Sequence, residues 1–209
     1  MELTDVKPSE VTFQERLCRS PHANVFLVTI RGVTCVMKAS ARWIGFTNEV
    51  RAYRRLKKYG ICDRGLVPNF YGTIEQLDPE LYEPHLDSFR LDVNLPSAVL
   101  LEYIPGMERL WMDNHTRERM DGFIEIAREI HKAHVLIEDI HWRNMMVFPD
   151  HPTRVLWLDF DVSRTYDEGQ LTDKQKRLFE EEMGFVIELG EDMEADIAEG
   201  RVNRLAIYT

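Results

Sequence analysis

Along the first half of the chain short apolar runs alternate with polar residues, and along the second half apolar residues recur every three or four positions. Residues 11–40 read as β-structure, with Phe26 to Ile30 and Val33 to Met37 as two strands joined at Arg31-Gly32, a tight hairpin. A helix is expected over about 48–59, capped by Thr47 or Asn48 and stopped at Gly60, which takes a left-handed conformation easily. Ala52, Tyr53 and Leu56 share its inner face with Glu49, while Arg51, Arg54, Arg55, Lys57 and Lys58 form a basic stripe opposite. Val67 to Ile74 and Ala98 to Tyr103 suggest two more strands. Residues 77–97 between them are longer than an ordinary connection and read as a lid or a partner surface.

From Thr116 to His134 the spacing of Met120, Phe123, Ala127, Ile130 and His134 is helical. His131 and His134 have no third metal-type ligand at a suitable spacing, so both are taken as packed or surface histidines. Thr172 caps a last charged segment with Leu178, Phe179, Val186, Ile187, Met193 and Ile197 on one face, one or two helices broken near Gly184 or Gly190.

The chemistry concentrates in Ile137 to Ser163. There Asp139 precedes Asn144 by five positions, and an apolar run ends in Asp159-Phe160-Asp161. Phosphoryl transfer calls for one carboxylate that orients a hydroxyl, with an amide and a second carboxylate to hold Mg²⁺ against phosphates.

This pattern resembles the catalytic and metal loops of the protein-kinase-like superfamily. It leans to the small-molecule branch of aminoglycoside phosphotransferase and choline kinase relatives, because His141 stands two residues after Asp139 and Asp161 replaces the glycine of Asp-Phe-Gly. It is similar also to short kinase-like proteins of fungal genomes. The resemblance implies an α+β, two-lobed protein-kinase-like fold. Its N-terminal lobe, 1–103, would hold an antiparallel sheet and one helix, and a shortened, mainly helical C-terminal lobe, 104–209, would carry the catalytic and metal loops.

The resemblance also implies roles. Cys35-Val36-Met37-Lys38 resembles Val-Ala-Ile-Lys, so Lys38 would hold the phosphates of ATP and Glu49 would orient it. Ser20 and Asn24 belong to the loop expected over the phosphates, Arg19 to Asn24, which contains no glycine. Glu102-Tyr103-Ile104-Pro105-Gly106 resembles the hinge, where the backbone at Glu102 and Ile104 would meet adenine. Asn144 and Asp159 would bind Mg²⁺, with Asp161 as a further ligand. Asp139 would act on the attacking hydroxyl, and His141 would hold Asp159 or Asp139. Ile137-Glu138 departs from the family's His-Arg or His-Gly, and Glu138 is expected to face away from Asp139.

At 209 residues, 44% hydrophobic and 30% charged, the chain can bury a core. A net charge of -10 disfavours wholesale attraction to nucleic acid or anionic membrane, leaving Arg51, Arg54, Arg55 and Lys58 as the one place to dock a nucleic acid. Cys18, Cys35 and Cys62 show no paired spacing, and MELTDVKPSE has no apolar core of a secretory signal, so the expected compartment is the cytoplasm. The functional expectation is an ATP- and Mg²⁺-dependent phosphotransferase for a small-molecule hydroxyl or amine acceptor. The alternatives are a catalytically inactive pseudokinase that binds, and a kinase fold turned to other transferase chemistry, such as an RNA-borne acyl donor.

Overall fold

Residues 2–20 and 23–205 are described in the computed structural model of the protein. Five strands, β1 (Val11–Arg19), β2 (Asn24–Ile30), β3 (Val33–Ser40), β4 (Phe70–Ile74) and β5 (Ser97–Glu102), form an antiparallel sheet in the order β1-β2-β3-β5-β4. The β2–β3 hairpin turns at Arg31 and Gly32, with φ of 50° and 79°. Two successive positive φ angles give the turn the hand of the strand twist. The Arg31 guanidinium meets the carboxylate of Glu10 and the carbonyls of Thr4 and Asp5, which ties the N-terminal segment to the hairpin.

Strand alternation sends Phe26, Val28, Ile30, Cys35, Met37 and Ala39 to one face. Residues 77–97 cover that face, burying Leu77, Tyr82, Leu86 and Phe89 against it through two short 3₁₀ turns, Pro79–Tyr82 and Asp87–Phe89. This segment, expected from its length to be a lid or a partner surface, packs as a cover on the sheet. Of its large hydrophobic residues, Leu91 and Val93 stand fully in solvent. Leu3 pairs with the edge strand β4, its N–H donating to the carbonyl of Tyr71. Gly72, at φ 132°, makes room, since a Cβ there would lie 2.5 Å from the carbonyl oxygen of Leu3.

The opposite face of the sheet receives helix α1 (Trp43–Lys58). It begins four residues upstream of the expected cap, with the Thr47 hydroxyl bonded back to the Ile44 carbonyl inside the helix. Burial of Phe46, and the close fit of Gly45 against Asp161, account for the extra turn. Its C-terminal side closes as expected, with Gly60 at φ 70°.

Beyond the sheet, α2 (Arg117–Lys132) is capped by the Thr116 hydroxyl, and α3 (Asp173–Glu199) by a reciprocal Thr172–Gln175 box. One continuous helix of 27 residues takes the place of the expected broken segment. Gly184 leaves the helix hydrogen bonds intact, and Gly190 lets α3 approach Met120, where a Cβ would come within 2.6 Å of Cγ. Between α2 and α3 run β7 (Val135–Leu136), β8 (Met145–Phe148), β9 (His151–Trp157) and β10 (Arg164–Thr165); β6 (Glu108–Arg109), β8 and β9 make one small sheet, β7 and β10 another. A shared core of Tyr53, Leu56, Phe123, Ile130, Trp157, Phe160 and Val186 joins α1 to α2 and α3. Among the described residues no helix is long and apolar enough to cross a membrane.

Candidate active site

Lys38 lies on the α1-facing side of β3, between the buried positions Met37 and Ala39. Its Nζ donates to Glu49 Oε1 of α1 at 3.0 Å and to Asp159 Oδ1, just past β9, at 2.7 Å. Burial opposes the charge on Lys38, but the two carboxylates outweigh it and hold the ammonium above its ordinary range. Glu49 is more deeply buried than its partner, and burial pushes its carboxyl up to about 7, the nearby ammonium offsetting part of the rise. Burial acts on Asp159 in the same sense, yet Lys38 wins and leaves this carboxyl below the usual range. Asp159 adopts φ 67°, a left-handed turn that aspartate tolerates better than most residues. Phe160, beside it, is buried edge-on against Tyr53 with ring centroids 5.3 Å apart.

The loop from β7 to β8 carries the second group of side chains. Both oxygens of Asp139 accept from Arg143 Nη2, at 3.0 and 2.9 Å, and Oδ2 also accepts from Asn144 Nδ2 at 2.8 Å. His141 is buried, and its Nδ1 accepts from the Arg143 N–H at 3.0 Å, capping the 3₁₀ turn Trp142–Asn144. Glu138, at φ 64°, turns away from Asp139 to pair with Arg164 at 2.5 Å. Underneath, the buried carboxylate of Glu182 from α3 accepts the N–H of Ile137 at 3.0 Å and of Glu138 at 2.7 Å, and meets His131 Nε2 at 2.5 Å.

A cavity of ≈ 300 Å³ opens between the two groups. Val25 and Val36 of the sheet and Met146 and Leu158 across from them give it apolar walls; Lys38, Glu49, Asn144 and Asp159 give it a polar end. Tyr53, one helical turn from Glu49, also lines it, and its buried hydroxyl has no hydrogen-bond partner among the described residues. The cavity thus runs from apolar walls into a charged end.

The structure brings Lys38, Glu49, Asn144, Asp159 and Glu102 onto this one cavity. Glu102 stands at the other end, its carboxylate accepting from the Asn69 N–H at 3.0 Å and its own N–H donating to the Asn69 carbonyl at 2.8 Å. Asp139 sits one hydrogen bond behind the lining, beyond Asn144. Ile104 is buried with Met146, Phe148 and Leu156 outside the lining. Asp161 is turned toward α1, its Oδ2 3.7 Å from where a Cβ of Gly45 would be; burial and neighbouring Asp159 raise its carboxyl.

Ser20 and Asn24 are not at the cavity. Ser20 closes a turn on Ala23, its N–H donating to the Ala23 carbonyl and its Oγ accepting from the Ala23 N–H. Asn24 shares the face of Phe26 and Val28, so its Nδ2 reaches Ser88 of the cover at 2.7 Å, and Val25 takes the place facing the cavity. Strict alternation along β2 carried that signal. Pro21 and His22 of the same loop lie outside the described residues.

Two residues were missed. Arg143, directly before Asn144, and Arg109 of β6 both line the cavity; the spacing of four from Asp139 was the readable sign for Arg143. The basic stripe, in turn, is largely engaged within the chain. Arg55 donates to the carbonyls of Ala133 and Tyr166, Lys57 to that of Phe70, and Lys58 pairs with Glu168. Arg54 lies over the ring of Phe70, and Arg51, Arg54 and Lys58 are exposed.

No family model matches the sequence, and no curated protein matches it. Solved structures do match, 1565 chains in all. One, titled "Structure of vaccinia related kinase 3", aligns with a TM-score of 0.53 at 11% identity, covering 75% of this chain and 48% of that one. The chain thus spans about half the length of that structure. At this identity the likeness establishes the fold alone, and that fold is kinase-like.

Proposed function

We propose that the protein is an ATP- and Mg²⁺-dependent phosphotransferase of the small-molecule branch, its site lying between an N-terminal lobe (1–103) and a C-terminal lobe (104–209). The observation that carries this reading is the Lys38 ammonium bridging Glu49 and Asp159 at 3.0 and 2.7 Å in a cavity shared with Asn144. An ammonium kept charged beside an apolar slot is suited to a nucleotide whose phosphates must be neutralised where water is scarce.

The donor set suits Mg²⁺, a hard cation that takes a few protein oxygens and completes its shell with water and phosphate. Asn144 directs its Nδ2 to Asp139, leaving Oδ1 for the metal; Asp159, bonded to Lys38 through Oδ1, has Oδ2. When bound, the ion neutralises charge on the transferring phosphoryl group. Lys38 contacts the phosphates, Glu49 keeps Lys38 aimed, and Asp139 receives the proton of the attacking hydroxyl or amine. The leaning to a small acceptor has two supports: His141 after Asp139, and the brevity of residues 162–172 between Asp161 and α3, too short to lay out a platform for a polypeptide.

The test is thermal unfolding of the full chain with and without Mg-ATP. At a hundred times Kd, binding stabilises by about 2.7 kcal/mol, or about 5–10 °C for a chain of this size. Lys38→Ala and Asp159→Ala should each erase the shift. Wild-type protein that does not move at millimolar Mg-ATP refutes the reading.

A second reading, a binding module without turnover, is favoured by Asp139, both of whose oxygens are already taken by Arg143 and Asn144. A full nucleotide shift with no ADP released in the presence of any acceptor selects it.

A further inference from the structure

Three cationic side chains, Lys38, Arg109 and Arg143, line the cavity. Lys38 is matched by Glu49 and Asp159. Arg143 meets both oxygens of Asp139 through a single nitrogen, Nη2, so its other N–H donors remain directed elsewhere. Arg109 is exposed, and its guanidinium has no acceptor among the described residues. Its position is fixed by the β6–β8 pairing, which sets Arg109 opposite Met146. Directly opposed residues of an antiparallel pair project to the same side, and Met146 also lines the cavity. One guanidinium therefore stands beside the carboxylate that would take the acceptor's proton, and a second stands on the neighbouring strand.

We propose that Arg109 and Arg143 make their part of the cavity a seat for an anionic acceptor, a small alcohol that also bears a carboxylate or phosphate group. This rests on the phosphotransferase reading and adds the substrate class to it. A guanidinium binds either anion through paired N–H donors. Lys38 is matched by Glu49 and Asp159 and Arg143 by Asp139, so Arg109 is the cation of this lining without a carboxylate partner among the described residues; a cationic amino alcohol placed beside it would meet like charge, which disfavours binding. The transfer itself balances: the acceptor oxygen bonds to the γ-phosphorus, the bond from that phosphorus to the bridging oxygen breaks, ADP leaves with the electron pair, and the hydroxyl proton passes to Asp139.

The experiment uses the full chain with four probes, glycerate and glycerol 3-phosphate against choline and ethanolamine. Thermal shift is recorded for each without nucleotide, and ADP release for each with Mg-ATP. The expected result is a shift and ADP release with the two anions in preference to the two cations. Arg109→Glu should lower the ratio of anion to cation response by roughly tenfold to a hundredfold, the worth of one charge-assisted hydrogen bond, and Arg109→Ala should lower it less. Preference for choline or ethanolamine, a ratio that Arg109→Glu leaves unmoved, or no shift with either anion would overturn the proposal. Failure of the phosphotransferase reading looks different: the anion-selective shift and its loss in Arg109→Glu persist, while no ADP appears and Mg-ATP gives no shift.

Discussion

Replacing Glu182 with alanine tests whether α3 holds the loop that carries Asp139. The carboxylate is 5% exposed and accepts two backbone N–H groups, Ile137 at 3.0 Å and Glu138 at 2.7 Å, beside His131 at 2.5 Å. Alanine leaves both N–H groups without an acceptor in a place that water does not reach. Each such loss costs about 1–3 kcal/mol, so Glu182→Ala should destabilise by roughly 3–6 kcal/mol once the lost His131 contact is included. That is a large part of the roughly 5–15 kcal/mol that holds a domain together. Glu182→Gln keeps one acceptor oxygen but turns an amide N–H₂ toward the other donor, and should cost about half as much. His131→Ala leaves both backbone bonds in place and should cost only about 1–2 kcal/mol. Urea unfolding with an unchanged m-value measures the series. If Glu182→Ala unfolds within about 1 kcal/mol of wild type, the range of an ordinary substitution, the loop is held by something else and the reasoning fails.

Two glycines of α3 should respond to alanine with opposite signs. Gly184→Ala meets open space and should stabilise by about 0.5–1 kcal/mol through helix propensity, whereas Gly190→Ala drives a Cβ into Met120 and should cost about 1–3 kcal/mol, both read as shifts of the urea midpoint. Gly72→Ala should release the N-terminal segment, because a Cβ at 2.5 Å from the Leu3 carbonyl cannot be accommodated; faster hydrogen exchange at the Leu3 amide would show it, and unchanged exchange would count against it. Burial opposes ionisation of Asp196, but the N–H groups of Asn203, Leu205 and Arg204 outweigh it and hold its carboxyl at about 2. Because this lies below the ~3.9 of an unfolded aspartate, its stabilising contribution is complete above that value and is lost as pH falls from about 4 toward 2. Asp196→Asn should flatten the pH dependence of stability in that window, measured by urea unfolding at each pH.

Much of this architecture was legible in the chain. The β2–β3 hairpin announced itself through Arg31-Gly32 between apolar runs, and α2 through its spacing, because both depend on neighbours close in sequence. The convergence of Lys38, Glu49, Asn144 and Asp159 was legible from their order and types. What was missed depended on distant partners. No local feature of residues 77–97 tells that Tyr82 and Phe89 will seal a sheet built from residues 24–39. Asn24 was expected in the loop over the phosphates, but it opens β2, where strand alternation turns its side chain to Ser88 of the cover. Glu182 lies in a charged helix where nothing local singles it out, and only the meeting of α3 with the β7–β8 loop gives it a task.

Helix α1, which supplies Glu49, is fastened at both ends to the part of the molecule below the cavity. Near its start the Asn48 side chain bonds the carbonyl of Asp161, and near its end Arg55 bonds those of Ala133 and Tyr166 while Lys58 pairs with Glu168. Its inner residues Tyr53 and Leu56 belong to the same core as Phe123 and Phe160. Swinging this helix outward to part Glu49 from Lys38 would break all of these contacts together, at a cost comparable to unfolding the region. The contacts that set Glu49 beside Lys38 are thus shared with those that join α1 to the core below.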